Sequence, residues 1–130
     1  MGDKKVNLTN FQMEEYVNNL ESFLDRNDII GYAAARNTRI LTEASSDYGR
    51  IKMQLLRKYG SPVKDEHGND TDQIKITSDD EHFYEVAEQI NLSGNISHEV
   101  TIYTISPNVV ASELTGREIL LIDWMLDEEG

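Results

Sequence analysis

From Ile30 to Tyr59 the apolar residues return at intervals of three and four: Ile30, Ala33, Ala34, Ile40, Leu41, Ala44, Tyr48, Ile51, Leu55 and Tyr59, with Asn37 in the same stripe. Only a helix places such positions on one face. Gly60 and Pro62 supply its stop signals. The spacing predicts a single helix of about thirty residues, roughly 45 Å long at 1.5 Å per residue. A shorter helix precedes it. Thr9 and Gln12 have the spacing of a capping box and Leu8 and Met13 that of a hydrophobic staple, so this helix should begin near Asn10. Its stripe is Met13, Tyr16, Val17, Leu20, Phe23 and Leu24, ending near Arg26, and Asn27 with Asp28 reads as a turn. The two helices make an αα-hairpin of unequal arms, because the first covers only about 25 Å of the second. The distal surface around Tyr48, Ile51, Leu55 and Tyr59 therefore needs a cover, from the C-terminal half or from a second chain. Gly49 inside the pattern marks a place for a bend.

Beyond Ser61 the texture changes. Lys64 to Asp72 is a polar loop with turn chemistry at His67-Gly68-Asn69, Gln73 to Thr77 alternates like a short strand, and Val63 starts its hairpin mate. Ser78 with Glu81 predicts a capping box for a helix burying Phe83, Val86, Ala87 and Ile90 and ending before Gly94. Ile96 to Ile105, rich in β-branched residues, reads as the strongest strand, stopped by Pro107. One helical turn follows, and Thr115 with Glu118 then caps a last helix through Ile119, Leu120, Ile122, Trp124, Met125 and Leu126, before the acidic tail Asp127-Glu128-Glu129. The expected fold class is α+β: an N-terminal αα-hairpin with a long second helix, then a small antiparallel sheet and two further helices. The 130 residues predict a single domain, with the helical hairpin over 9–60 and an acidic α+β portion over 61–130.

Charge is distributed unevenly along this frame. The net charge is -12, yet residues 1–60 hold nine bases and eight acids while residues 61–130 hold three bases and sixteen acids. A field of that sign repels phosphate and attracts basic surfaces, so direct nucleic-acid binding is disfavoured and a protein partner with a basic surface is favoured. The simpler alternative is that the acids only keep the protein soluble. The chain has no cysteine, which excludes disulfides, thiolate metal sites and a cysteine nucleophile. Nothing approaches the roughly 18 apolar residues of a membrane span, and Met1-Gly2-Asp3-Lys4-Lys5 has no apolar stretch behind it, so no membrane association and an intracellular location are expected.

Chemistry-bearing motifs are sparse. His67, His82 and His98 show no local metal-ligand spacing, and His82 is flanked on its helix by Glu81 and Glu85, a pairing that could respond to pH but that an acidic helix also produces by default. The loop from Asp65 to Asp72 invites calcium, but an EF-hand started at Asp65 would place Asp70 at the glycine position and Ile76 at the terminal glutamate position. Asp123, beside Trp124 in an apolar helix, is the one acid in an unusual setting, and the polar face of that helix accounts for it. No phosphate-binding glycine loop or nucleophile elbow occurs, so no cofactor is implied and a non-enzyme is expected. Arg36, Arg39, Arg50 and Arg57 fall along one stripe of the long helix and could contact phosphate or an acidic partner, including another copy of the chain. Glu43 and Asp47 should neutralise much of that stripe by pairing with Arg39 and Arg50.

Several strings resemble an uncharacterised family of small acidic proteins from phages and prophages of Gram-positive bacteria. These are Leu55-Leu56-Arg57-Lys58-Tyr59-Gly60, Asp65-Glu66 with Gly68, Gln73-Ile74, Phe83, Leu114 to Ile119, and Asp123-Trp124-Met125-Leu126. The resemblance covers most of the chain and carries over no functional residue. It implies a phage context and the cytoplasm of a host bacterial cell, where small acidic proteins act by occupying a host or defence protein. The resulting expectation is an inhibitor whose Asp79, Asp80, Glu81, Glu85 and Glu88, backed by Asp65, Glu66, Asp70 and Asp72, replace phosphates in a basic nucleic-acid groove. A structural or assembly protein that forms a homo-oligomer through Ile51 and Leu55 is the competing class, and a small-ligand-binding oligomer using the arginines is a third.

Overall fold

The structure is a computed structural model that describes residues 2–127. The chain is of mixed helix and sheet, with six α-helices and two small antiparallel sheets among the described residues. It divides into two compact units, one formed by Met1–Ser45 with Ser97–Gly130 and the other by Ser46–Ile96. Neither boundary coincides with Gly60, where the charge changes along the sequence.

The first unit begins with strand β1 (Gly2–Thr9), which pairs antiparallel with β4 (Ser97–Thr104) from Gly2 opposite Thr104 to Thr9 opposite Ser97. β1 had no counterpart among the elements expected from the sequence. Helices α1 (Asn10–Leu20) and α2 (Ile29–Ala44), then α5 (Pro107–Glu113) and α6 (Gly116–Ile122), complete the unit, with short 3-10 turns at Glu21–Phe23 and Asp123–Met125. The expected capping boxes at Thr9–Gln12 and Thr115–Glu118 both form, with Thr9 and Thr115 hydroxyls accepting the amides of Gln12 and Glu118 at 3.1 and 3.2 Å. Pro107 does not merely end β4 but opens α5 behind the Ser106 cap. The hydrophobic core lies in this unit: Met13, Leu20, Phe23, Ile30, Leu41, Ile102, Ile105, Ile122 and Met125 are all essentially inaccessible to water. Tyr16 stacks flat on Trp124 at its margin, with ring centroids 4.3 Å apart.

One polar side chain is fully enclosed in that core. Asn37 of α2 faces the edge of β4 that β1 leaves open, where its Oδ1 accepts the N–H of Tyr103 at 2.7 Å and its Nδ2 donates to the carbonyl of Tyr103 at 2.8 Å. Two residues on, the same edge is met by the segment 125–127, with the Ile105 N–H donating to the Met125 carbonyl at 3.1 Å and the Asp127 N–H donating to the Ile105 carbonyl at 2.8 Å. A side-chain amide and an irregular backbone segment thus do the work of a third strand.

The long helix expected over Ile30 to Tyr59 is instead two helices, α2 and, after Ser45, α3 (Ser46–Tyr59). The break falls at Ser45 and not at Gly49. Ser45 bonds back to the Leu41 carbonyl through both its amide, at 3.0 Å, and its hydroxyl, at 2.7 Å, and its backbone leaves helical values at φ -99°, ψ 12°. Serine hydroxyls that bond the preceding turn in this way compete with the helix ladder.

The second unit contains α3, the hairpin of β2 (Ser61–Lys64) and β3 (Asp70–Lys75), and α4 (Phe83–Gly94). The distal surface that seemed to need a cover is covered in part within this unit, where α4 and β3 lie against α3: Tyr48 is buried and Leu55 and Tyr59 are half-buried, while Ile51 stays exposed. The core here is thin: Leu55, Leu56, Tyr59, Phe83 and Ile90 are only half-buried, and Val86 is fully buried. The Ser78–Glu81 capping box does not form. Backbone bonds from Asp80 to Thr77 and from Phe83 to Asp80 turn the chain there, and α4 starts after His82 with no side-chain cap.

At the start of α2 the expected turn is held by charge. Asp28 caps the helix, accepting the Gly31 amide at 3.1 Å, and takes Nε and Nη2 of Arg26 at 3.1 and 2.6 Å. The Arg26 guanidinium first, and the Gly31 amide second, hold the Asp28 carboxyl below the usual carboxylate range. A carboxyl whose pKa is depressed on folding stabilises the fold above its unfolded value and loses that contribution as pH falls through the folded value. Asp28→Asn keeps a capping side chain and removes the charge. It should lower the melting temperature by a few degrees at neutral pH, and the gap should close as the pH is taken below about 4 in thermal melts.

Candidate functional site

All nine acids singled out from the sequence lie in the second unit, on two of its parts. Asp65, Glu66, Asp70 and Asp72 belong to the β2–β3 hairpin, while Asp79, Asp80, Glu81, Glu85 and Glu88 belong to the turn before α4 and to its first half. Eight are exposed and Asp80 is half-buried.

Local chemistry places them. In the hairpin, Asp65 Oδ1 accepts the amides of His67 and Asn69, each at 2.9 Å, and Gly68 closes the turn with φ at 79°. This commits one carboxylate oxygen to the chain's own backbone. Among the described residues no group of three His, Cys, Asp or Glu side chains could hold a metal ion. Ahead of α4, the Thr77 hydroxyl donates to Asp79, and this bond, with the Asp79 amide, keeps that carboxyl below its ordinary range. Asp80 Oδ1 accepts the amide of His82 at 2.8 Å.

The histidines are scattered. His67 sits at the hairpin tip, 3.5 Å from Glu66, and His98 is hydrogen-bonded to Asn10 at 3.1 Å in the first unit. His82 combines three contacts: its ring lies against Tyr59 of α3 with centroids 4.3 Å apart, and its nitrogens reach Glu81 at 3.3 Å and Glu85 at 3.6 Å. Both flanking glutamates thus lie near His82 where α4 meets α3, although Glu81 and His82 precede α4 and do not share its helix. Asp123 is exposed on the 3-10 turn after α6.

The arginines do not form one stripe. Arg36 and Arg39 are on α2 in the first unit, and Arg50 and Arg57 are on α3 in the second. Arg36 donates to the Tyr32 hydroxyl at 3.1 Å and lies over the Tyr103 ring, 5.3 Å from its centroid. The expected Arg50–Asp47 pair forms at 3.8 Å, in solvent, whereas no ion pair joins Arg39 to Glu43 among the described residues. Such an exposed pair adds little to stability.

Regrouping the charges by unit changes their meaning. The second unit holds six bases and ten acids, and they are segregated by element. α3 carries Arg50, Lys52, Arg57 and Lys58 against the single acid Asp47, while the nine nominated acids lie on the hairpin and around α4. Lys64 pairs with Asp70 across the hairpin, and among the described residues no other lysine or arginine makes an ion pair with any of the nine. These nine share one unit, while the other seven acids of residues 61–130 belong to the first unit, which holds six bases and fourteen acids in all.

The outer face of α4 holds something the sequence reading missed. Tyr84 is 78% exposed and Leu92 61% exposed. With Ala87, Glu88, Asn91 and Asn95 they line an open groove of about 400 Å³. Tyr84, Glu88 and Leu92 are spaced four apart on that face, opposite the buried Val86. The signal was available: two large apolar residues eight apart lie outside the Phe83–Val86–Ile90 stripe.

Compared with protein-family models, with curated proteins and with solved structures, the chain gives no match. Among the described residues no helix is long and apolar enough to cross a membrane.

Proposed function

We propose that this is a phage-type interaction protein that acts by occupation and not by catalysis. Its acidic surface on the second unit fills a basic nucleic-acid-binding site of a host or defence protein. The observation that carries the reading is the grouping of nine acids on the hairpin and α4, of which only Asp70 is matched by a lysine or arginine among the described residues. Carboxylates left in water keep their field available to a partner, and such a field steers association by charge. The resemblance of several strings to small acidic phage proteins is in keeping with that context.

The test is capture from a phage-infected bacterial lysate, with the wild-type protein and a neutralised bait carrying Asp79→Asn, Glu81→Gln, Glu85→Gln and Glu88→Gln. Proteins should be retained by the wild type at about 50 mM salt, released at about 500 mM or by added DNA, and lost from the neutralised bait. Retention that ignores salt, DNA and the four substitutions overturns the reading.

A further inference from the structure

The two amphipathic faces of the second unit are opposite in charge. On α3, Arg50, Met53 and Arg57 are spaced as i, i+3 and i+7, so they share one outward face; both arginines are exposed and Met53 is 37% exposed. On α4 the outward face carries Tyr84 and Leu92 with Glu88 between them, and Glu85, exposed but also 3.6 Å from His82, stands at its margin. One face is basic with an apolar centre, and the other is apolar with an acidic centre.

We infer that the groove on α4 receives α3 of a second copy of this chain. The lengths agree, since α3 of 14 residues and α4 of 12 residues are about 21 and 18 Å long. The side chains agree as well. An arginine stem can lie along apolar surface while its guanidinium stays at the charge beyond, so Arg50 and Arg57 of one copy cover Tyr84 and Leu92 of the other and meet Glu85 and Glu88. Met53 adds the flexible apolar contact that helix–helix packing needs. Charge complementarity selects this occupant from the chain's own surface. The inference goes beyond the proposed function and does not rest on it: a second copy and a foreign basic surface would compete for Glu85 and Glu88, and self-association is read on the pure protein with no partner present.

Sedimentation of the pure protein at concentrations from about 10 µM to about 1 mM reads the association directly. The wild type should associate with rising concentration. Arg50→Glu with Arg57→Glu makes α3 acidic, and Glu85→Lys with Glu88→Lys makes α4 basic, so each double variant alone should bind itself at least about tenfold more weakly. Mixing the two restores both opposite-charge contacts and should restore association. Tyr84→Ser with Leu92→Ser, at positions too exposed to hold the fold, should weaken association to a similar degree, and far-UV circular dichroism checks that every variant is folded. A wild type that remains monomeric overturns the inference. So does self-association that survives either charge reversal, or a mixture of the two reversed variants that stays monomeric.

Discussion

Asn37→Ala should lower the free energy of unfolding by about 3 kcal/mol. The substitution leaves the N–H and the carbonyl of Tyr103 without the partners that now stand at 2.7 and 2.8 Å, in a place where the amide itself is fully buried. Each orphaned buried group costs about 1–3 kcal/mol, and the half-exposed position of Tyr103 tempers the sum by admitting some water. Urea unfolding followed through the single tryptophan, Trp124, which stacks on Tyr16 in the same unit, would measure it. Asn37→Asp sharpens the test. An aspartate retains the acceptor for the Tyr103 amide but presents a second oxygen to the Tyr103 carbonyl, so the fold favours the protonated acid, which can donate there. Burial and that carbonyl both raise the folded-state pKa of the introduced carboxyl. Its contribution is therefore present below about pH 4 and lost as pH rises, and the Asn37→Asp protein should fall further behind the wild type at pH 7 than at pH 4.

The second large effect is a difference of sign between two helical glycines. Gly31→Ala should destabilise by about 2–3 kcal/mol. A Cβ at Gly31 would lie 2.1 Å from the Arg26 carbonyl oxygen and 2.9 Å from its carbon, so the turn that leads into α2 and carries the Arg26–Asp28 pair must move. Gly49→Ala should instead stabilise by up to about 1 kcal/mol, because the added methyl meets nothing within 4 Å and alanine is the better helix former. Thermal melts of the two variants would show opposite shifts. Stabilisation of both variants would mean that helix propensity, not the close approach at Arg26, governs the first position.

Much of this was legible because it is local. The capping boxes at Thr9 and Thr115 are written within four residues and both form. The hairpin around Gly68 follows from a turn sequence that few alternatives suit. Where two local choices competed, the reading failed. Ser78 and Glu81 have capping spacing, yet the backbone turn from Thr77 to Phe83, supported by Asp79 and Asp80, takes the segment. Ser45 breaks a run whose apolar period continues unbroken through it, since periodicity records which face is buried and not whether the hydrogen-bond ladder is continuous. β1 escaped because Lys4, Val6 and Leu8 make a weak alternating face, and what makes them a strand is pairing with β4, 88 to 102 residues further along the chain.

The candidate site divides in the same manner. The identity of the nine acids, the flanking of His82 by Glu81 and Glu85, and the pairing of Arg50 with Asp47 were all readable at helical or turn spacing. By itself the sequence determined the helical faces, the caps at Thr9 and Thr115, and the charge each segment carries, since these depend on neighbours three or four residues apart. Only the tertiary structure decided that the basic α3 joins the acidic hairpin and α4 in one unit, that Tyr84 and Leu92 stay in water, and that Asn37 completes the edge of β4. Those outcomes depend on which surfaces bury one another across dozens of residues, where the free energy belongs to the packed whole and no short segment contains it.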